Sequence, residues 1–326
     1  RSIPESISRQ HMAQARLYGA MIAQSEVVEE LIVRLTWFNI DDESEVTLEQ
    51  VYTRVELSAF LELSLQKFSA WLAAVSKLRQ ARDASISSFT FPHAQFRAGQ
   101  REIAELVYKC IDQSGQLLLE APTGIGKTAA VLFPAIKALA SGKHDKIVFL
   151  TAKSVGRKTA EDTLHLFQDA GYQGSAMSLT AKDKICLSPG KACHGDDCPY
   201  ARNYYDKLPA AMLKAIEQPV LRRQELEALG RQFEVCPYQL TLDLLPWIDV
   251  IIGDLHYLYG LPAVLGASLE DASQRWSALI DEAHNLPSRA RGMYSASLSK
   301  VDVLAARATS SVAIVKTLNR INRIML

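Results

Sequence analysis

The sequence predicts an α/β protein, a parallel sheet flanked by helices. Three observations carry that expectation. Short apolar runs, "KIVFLTA" at 146–152, "IDVIIGD" at 248–254 and "SALIDEA" at 277–283, alternate with amphipathic helical stretches. Such alternation is the pattern of βαβ units, whose strands are buried on both faces. A glycine-bearing turn, "APTGIGKT" at 121–128, stands between an apolar run and a helix. A third region, about 173–236, reads as a mostly helical insertion and carries four of the five cysteines.

The elements follow in order. Residues 7–24 place apolar side chains at helical spacing. Residues 31–40 and 46–56 read as strands joined by the acidic turn "DDES", and 57–82 as a long amphipathic helix. "DASISSFTFPH" at 83–93 is polar and ends in Pro, which suggests a linker. A helix over 98–111 leads to a short apolar strand, "QLLLEA" at 116–121, and then to the glycine turn and its helix. The last stretch, 300–326, reads as helix.

Composition sets bounds. Lys plus Arg and Asp plus Glu are 36 each, so any nucleic-acid surface is local rather than global. The longest apolar run, 247–269, is interrupted by Asp249, Asp254 and His256, which excludes a spanning helix. There is no secretory signal, and the expected location is cytoplasmic. The chain begins at Arg1 and ends inside a helical pattern, so it reads as part of a longer protein.

"LLLEAPTGIGKTAAVL" has the strand, turn and helix that a phosphate-binding loop requires. Its candidate nucleotide-binding residues are Ala121, Pro122, Thr123, Gly124, Ile125, Gly126, Lys127 and Thr128. Backbone N–H groups and the helix N-terminus attract phosphate oxygens, and the two glycines permit close approach. Lys127 is suited to the β- and γ-phosphates of ATP and Thr128 to Mg²⁺. The strict motif begins with Gly where this chain has Ala121. "DEAH" at 281–284 supplies the second half: Asp281, ending an apolar strand, to hold Mg²⁺, and Glu282 to polarise the attacking water. Gln100, upstream of the loop, has an amide able to pair with adenine.

Cys186, Cys193, Cys198 and Cys236 follow the spacing C-x6-C-x4-C-x37-C. Four thiols in one insertion indicate a metal site, either zinc or a [4Fe–4S] cluster. Cys110 lies on the helix before the phosphate loop and reads as a small core residue. Tyr204, Tyr205, Arg222 and Arg223 are available for base stacking and phosphate contact.

"APTGIGKT", "LTAKSVGRKTAED", "CPYQLTLDLLPWIDVIIGDLHYLY" and "LIDEAHNL", spread over about residues 90–290, together resemble the XPD/DinG-type helicases of superfamily two. Ala121 is the usual residue at that position in this family. The resemblance implies a RecA-like domain over 85–172 and 237–285, with a [4Fe–4S] domain over 173–236 that ends in Cys236-Pro237-Tyr238. It implies that Thr151 and Lys153 meet the DNA backbone, and it matches His256-Tyr257-Leu258 to a motif after a core strand. The same resemblance implies that residues 286–326 begin an arch-like helical domain and that a second RecA-like domain closes the ATP site.

Residues 1–84, with Gln14 and Tyr18 on one helix face, resemble the C-terminal half of a RecB-like PD-(D/E)XK nuclease, yet no [DE]-x-K sequence occurs in the chain. The expected function is ATP-dependent, 5′ to 3′ DNA unwinding in repair. Expected partners are single-stranded DNA and duplex junctions, with no membrane and a monomeric state. The alternative is a metal-stapled nucleic-acid-binding module whose ATPase is idle or RNA-directed.

Overall fold

The computed structural model describes residues 5–325 except 27, 41, 123, 262 and 267–272. Helix α1 (Glu5–Ser25) packs on an antiparallel hairpin of β1 (Glu30–Phe38) and β2 (Glu45–Thr53), in which Glu30 pairs with Thr53 and Phe38 with Glu45. Met12, Ala20, Val33, Tyr52 and Leu57 form the small core between them. β2 stops at Thr53 because Thr53 caps the next helix. Its hydroxyl accepts from Glu56 N at 3.3 Å, and the Glu56 carboxylate accepts from Thr53 N at 2.8 Å. This reciprocal capping box converts "RVE", expected at the end of a strand, into the first helical turn.

Helix α2 (Arg54–Ser88) is 35 residues long and runs into the stretch expected as a linker, taking its first six residues. The reason is burial. Ile86 and Phe89 enter the main core, Arg82 forms an ion pair with Asp249, and Trp71 meets Trp247 edge-on at 5.2 Å. A polar-looking tail stays ordered because Ile86 and Phe89 are buried there and Phe91 packs against the same core.

After α3 (Gln100–Asp112), residues 115–122 make no ladder, where a strand was expected. Leu118 is 92% exposed there. A strand needs a neighbour for its N–H and C=O groups, and among the described residues this segment has none.

Helix α4 (Lys127–Ala140), β3 (Lys146–Thr151), α5 (Ser154–Asp169), β4 (Ala176–Ser178) and α6 (Lys182–Ile185) follow. Next come α7 (Tyr204–Ala215), β5 (Val220–Leu221), α8 (Arg223–Phe233), α9 (Pro237–Leu244) and β6 (Val250–Asp254). With β7 (Trp276–Ile280) the strands form one parallel sheet in the order β5-β4-β6-β3-β7. β3 is central: Ile147 pairs with Val250 on one side and Ser277 on the other. Every residue of β3 is buried, as expected for a strand covered on both faces.

The main core joins Leu132 and Ile136 of α4, Leu164 and Phe167 of α5, and Ile147, Phe149, Val250 and Ile252 of the sheet. The α/β class with a helix-flanked parallel sheet therefore stands. The region expected as a separate insertion also gives β4 and β5 to this sheet, strands too short to show a period in the sequence.

The chain divides into two compact units, residues 1–254 with 268–281, and residues 255–267 with 282–326. The second contains α10 (His256–Tyr259), α11 (Leu286–Met293), α12 (Lys300–Thr309) and α13 (Val312–Ile324). No helix among the described residues is long and apolar enough to cross a membrane.

Candidate nucleotide site and cysteine cavity

Gly124 and Gly126 carry φ of +84° and +83°, a backbone region that side chains with a Cβ avoid. A Cβ on Gly126 would also stand 2.7 Å from Gln100 Nε2. α4 starts at Lys127 with no side-chain cap on its N-terminus, and the first N–H groups of a helix have no intrahelical acceptor. Lys127 Nζ donates to Ala121 O at 3.0 Å and reaches Pro122 O at 3.5 Å, which keeps the ammonium folded over the turn. Ile125 and Thr128 are half-buried beside it, and Thr123 lies outside the described residues.

Gln100 is only 2% exposed. Its Oε1 accepts from Arg97 N at 3.0 Å and its Nε2 donates to Gly126 O at 3.3 Å. The Arg97 guanidinium also donates to Gly124 O. In this structure the Gln100 amide is spent on the loop rather than offered to a base. Arg97 escaped the sequence analysis because a lone Arg before a helix carries no signal.

β7 delivers Asp281, whose N–H donates to Leu150 O at 2.8 Å and extends the β3 pairing by one residue. A Cβ on Gly156 would stand 3.0 Å from Asp281 Oδ2 and 2.2 Å from Thr151 Oγ1. Gly156 thus lets the first turn of α5 close on both side chains. A glycine inside a helical pattern was its only signal. Thr151 is 2% exposed and its hydroxyl faces the Lys153 peptide at 3.4 Å, whereas Lys153 is exposed. Glu282, next along the chain and in the second unit, has φ +54° and ψ +43°, a left-handed conformation without glycine. Such strain concentrates at functional positions. Its carboxylate lies 3.6 Å from His284 Nε2, and its carbonyl accepts from Asn285 Nδ2 at 3.1 Å.

The four cysteines 186, 193, 198 and 236 line one cavity of about 520 Å³. Cys236 caps α9, with Pro237 at the first helical position. Cys198 is 8% exposed and held by its N–H to His194 O at 2.9 Å. Burial raises the Cys236 thiol pKa, N–H groups of Gln239 and Tyr238 oppose the rise, and nearby Cys186 and Cys198 add to it. A hydrogen bond with Cys193 raises the Lys182 pKa. The donors are soft sulfurs gathered at one place, which suits zinc or an iron–sulfur group. No group of three or more His, Cys, Asp or Glu among the described residues is set to hold a metal ion. The fold brings the sulfurs to one cavity without closing them into a coordination sphere. Cys110 is separate and half-buried, beside Gly115.

The expected stacking and phosphate groups divide. Tyr204 is buried, while Tyr205 is exposed. Arg222 lies 3.6 Å from both Glu161 and Asp162, and Arg223 lies 2.6 Å from Glu227.

Two helicase family models match this chain. The DEAD/DEAH box helicase model covers residues 98–186, and the DEAD_2 model covers 173–303. Together they run from α3 through the phosphate loop and the cysteine segment to DEAH. The chain is 25% identical over 230 residues to the XPD helicase subunit of general transcription and DNA repair factor IIH from Arabidopsis thaliana, covering 60% of this chain and 30% of that protein. It is 24% identical over 283 residues to a regulator of telomere elongation helicase 1 homolog from Anopheles gambiae, covering 68% and 28%. A solved structure of a truncated XPD is similar at 22% identity, with a TM-score of 0.47, over 68% of this chain and 63% of that one. The chain spans less than a third of the length of these two helicases.

Proposed function

We propose that this chain is the nucleotide-binding part of an ATP-dependent DNA helicase of XPD/DinG type, with a RecA-like sheet. The observation that carries the reading is the pairing of a left-handed glycine turn at the start of α4 with Asp281 at the end of β7 in one unit. Lys127 would turn from the Ala121 and Pro122 carbonyls to the β- and γ-phosphates. Thr128 and Asp281 would hold Mg²⁺, which bridges the phosphates and screens their charge. Glu282 is assigned to orienting the attacking water. Gln100 holds the loop and would reach adenine only by giving up its bond to Gly126. Lys153 and the first turn of α5 are assigned to the DNA backbone, with Thr151 supporting that turn.

The four-cysteine cavity is assigned a [4Fe–4S] cluster, held by Cys186, Cys193, Cys198 and Cys236. Such a group would staple a segment whose loops at 186–203 have few apolar residues. Residues 1–84 are assigned to a partial nuclease-like segment and 286–326 to the start of an arch-like helical domain. Translocation from 5′ to 3′, a repair role, a monomeric state and a bacterial cytoplasm complete the proposal.

The test uses the whole protein, prepared without air, with duplexes carrying either a 5′ or a 3′ single-stranded tail. Mg·ATP-dependent separation of the 5′-tailed duplex, with stoichiometric iron, is the expected result. Preference for the 3′ tail would overturn the direction. Zinc without iron would overturn the cluster, and ATP turnover stimulated by RNA alone would favour the RNA-directed alternative.

A further inference from the structure

Behind the cysteine cavity lies a hydrogen-bonded carboxylate that the nucleotide chemistry does not use. Tyr204, the first residue of α7, is 6% exposed. Its hydroxyl donates to Asp243 Oδ2 at 2.7 Å. Gln239 Nε2 donates to the other oxygen, Asp243 Oδ1, at 3.3 Å. Asp243 and Gln239 are one turn apart on α9, and Cys236 is the cap of that helix. On the other side, the turn carrying Cys198 leads directly into α7: Ala201 N and Arg202 N donate to Cys198 O at 3.0 and 3.2 Å. Tyr204 and Gln239 both line the cysteine cavity. The bond from Tyr204 to Asp243 therefore ties the helix that follows Cys198 to the helix that begins at Cys236.

We propose that Tyr204, Asp243 and Gln239 form a brace that fixes the separation of Cys198 and Cys236, and so sets how firmly the cysteine cavity retains its metal group. The proposal rests on the metal reading of the cavity. The three are positioning residues, because they act through the elements that carry the thiols. Charge-assisted bonds to a half-buried carboxylate are among the stronger protein hydrogen bonds, and removing one donor leaves the acceptor undersatisfied. Outer hydrogen-bond partners of metal ligands act in this way generally.

The test compares the wild-type chain with Tyr204→Phe, Asp243→Ala and Asp243→Asn, each loaded without air with iron and sulfide or with zinc alone. The readouts are metal content per chain, the visible spectrum, and the rate at which a chelator removes the metal. Thermal melting and Mg·ATP binding report the rest of the fold. Tyr204→Phe and Asp243→Ala are expected to release metal on the order of 10-fold faster. Melting of the sheet and nucleotide binding stay as in the wild type. Asp243→Asn keeps the side-chain volume and an acceptor for the Tyr204 hydroxyl and is expected to restore most of the retention, whereas Tyr204→Phe keeps the ring and loses only the bond, so faster release from that variant is not a loss of packing. Should Asp243→Ala fail to fold, Tyr204→Phe, which removes a single oxygen, carries the test. Equal release from wild type and Tyr204→Phe would overturn the brace alone. A wild-type chain that takes up neither iron nor zinc would overturn the metal reading and the brace with it.

Discussion

The phosphate loop and the cysteine cavity lie in the same compact unit but are held in different ways. The loop's turn is set by its own glycines and clamped by two side chains upstream of it in the chain. Two left-handed glycines, the Gln100 amide and the Arg97 guanidinium keep it open at the start of α4. The cavity is assembled from a distance. Its sulfurs come from a loop, from a turn before α7 and from the cap of α9, and bonds between helices set their separation. Locally encoded geometry survives the loss of a neighbour, whereas a site gathered by packing depends on everything that ties its pieces together.

That difference predicts how each region breaks. Cys198→Ser has the largest expected effect. It should abolish metal uptake and raise hydrogen exchange across about 181–203, while Mg·ATP binding is unchanged. Loss of nucleotide binding in this variant would show that the two regions are not independent.

Arg82→Ala comes next. It strips the partner from Asp249, a carboxylate that also accepts from Ser175 N and Oγ at 2.8 Å. Breaking a buried pair from one side typically costs about 3–5 kcal/mol. Urea unfolding measures it, and a change under about 1 kcal/mol would contradict the role of α2 as an integral part of the core.

Gly126→Ala is smaller in stability, about 1–2 kcal/mol for the left-handed backbone. It should weaken Mg·ATP binding more than it lowers the unfolding midpoint, because the new Cβ displaces Gln100. Retained affinity would mean the loop tolerates that shift.

The remaining effects are pH-dependent. Burial lowers the Lys146 pKa to about 8, while two backbone carbonyls, Leu245 O and Ile248 O, accept from its Nζ. The unfolded lysine keeps its proton to about 10.4, so between these values the unfolded state binds more protons and stability rises with pH. The slope is at most about 1.4 kcal/mol per pH unit. Tyr172 is fully buried with its pKa raised, so its unfolded form ionises first and stability falls above about pH 10. His144 is buried with its pKa lowered, and stability declines as pH falls through about 6.5 because only the unfolded imidazole is protonated there. Melting curves from pH 5 to 11 read all three, and Lys146→Met should remove the rise above pH 8.

Much of the loop region was legible because its signals are short-range. The glycine spacing, the apolar runs of β3, β6 and β7, and the carboxylate after β7 each sit within a few residues of what they organise. The remainder was not, for physical reasons. Ile86 and Phe89 look incidental in a polar stretch until the core they enter is present. "QLLLEA" has a strand's composition, yet a strand exists only with a neighbour. β4 and β5, three and two residues long, are too short to show a period. In the cysteine region the identity of the four thiols could be read, but the Tyr204–Asp243 bond spans 39 residues and had no sequence signal.

The most direct test of the central claim, that Lys127 and Asp281 serve ATP turnover, is hydrolysis by the whole protein with and without single-stranded DNA, in wild type and Lys127→Ala. The account predicts DNA-stimulated turnover that falls by roughly 10²–10³ in the variant, with single-stranded DNA binding intact. A variant that keeps more than about a tenth of the wild-type rate would contradict the assignment of the phosphate loop.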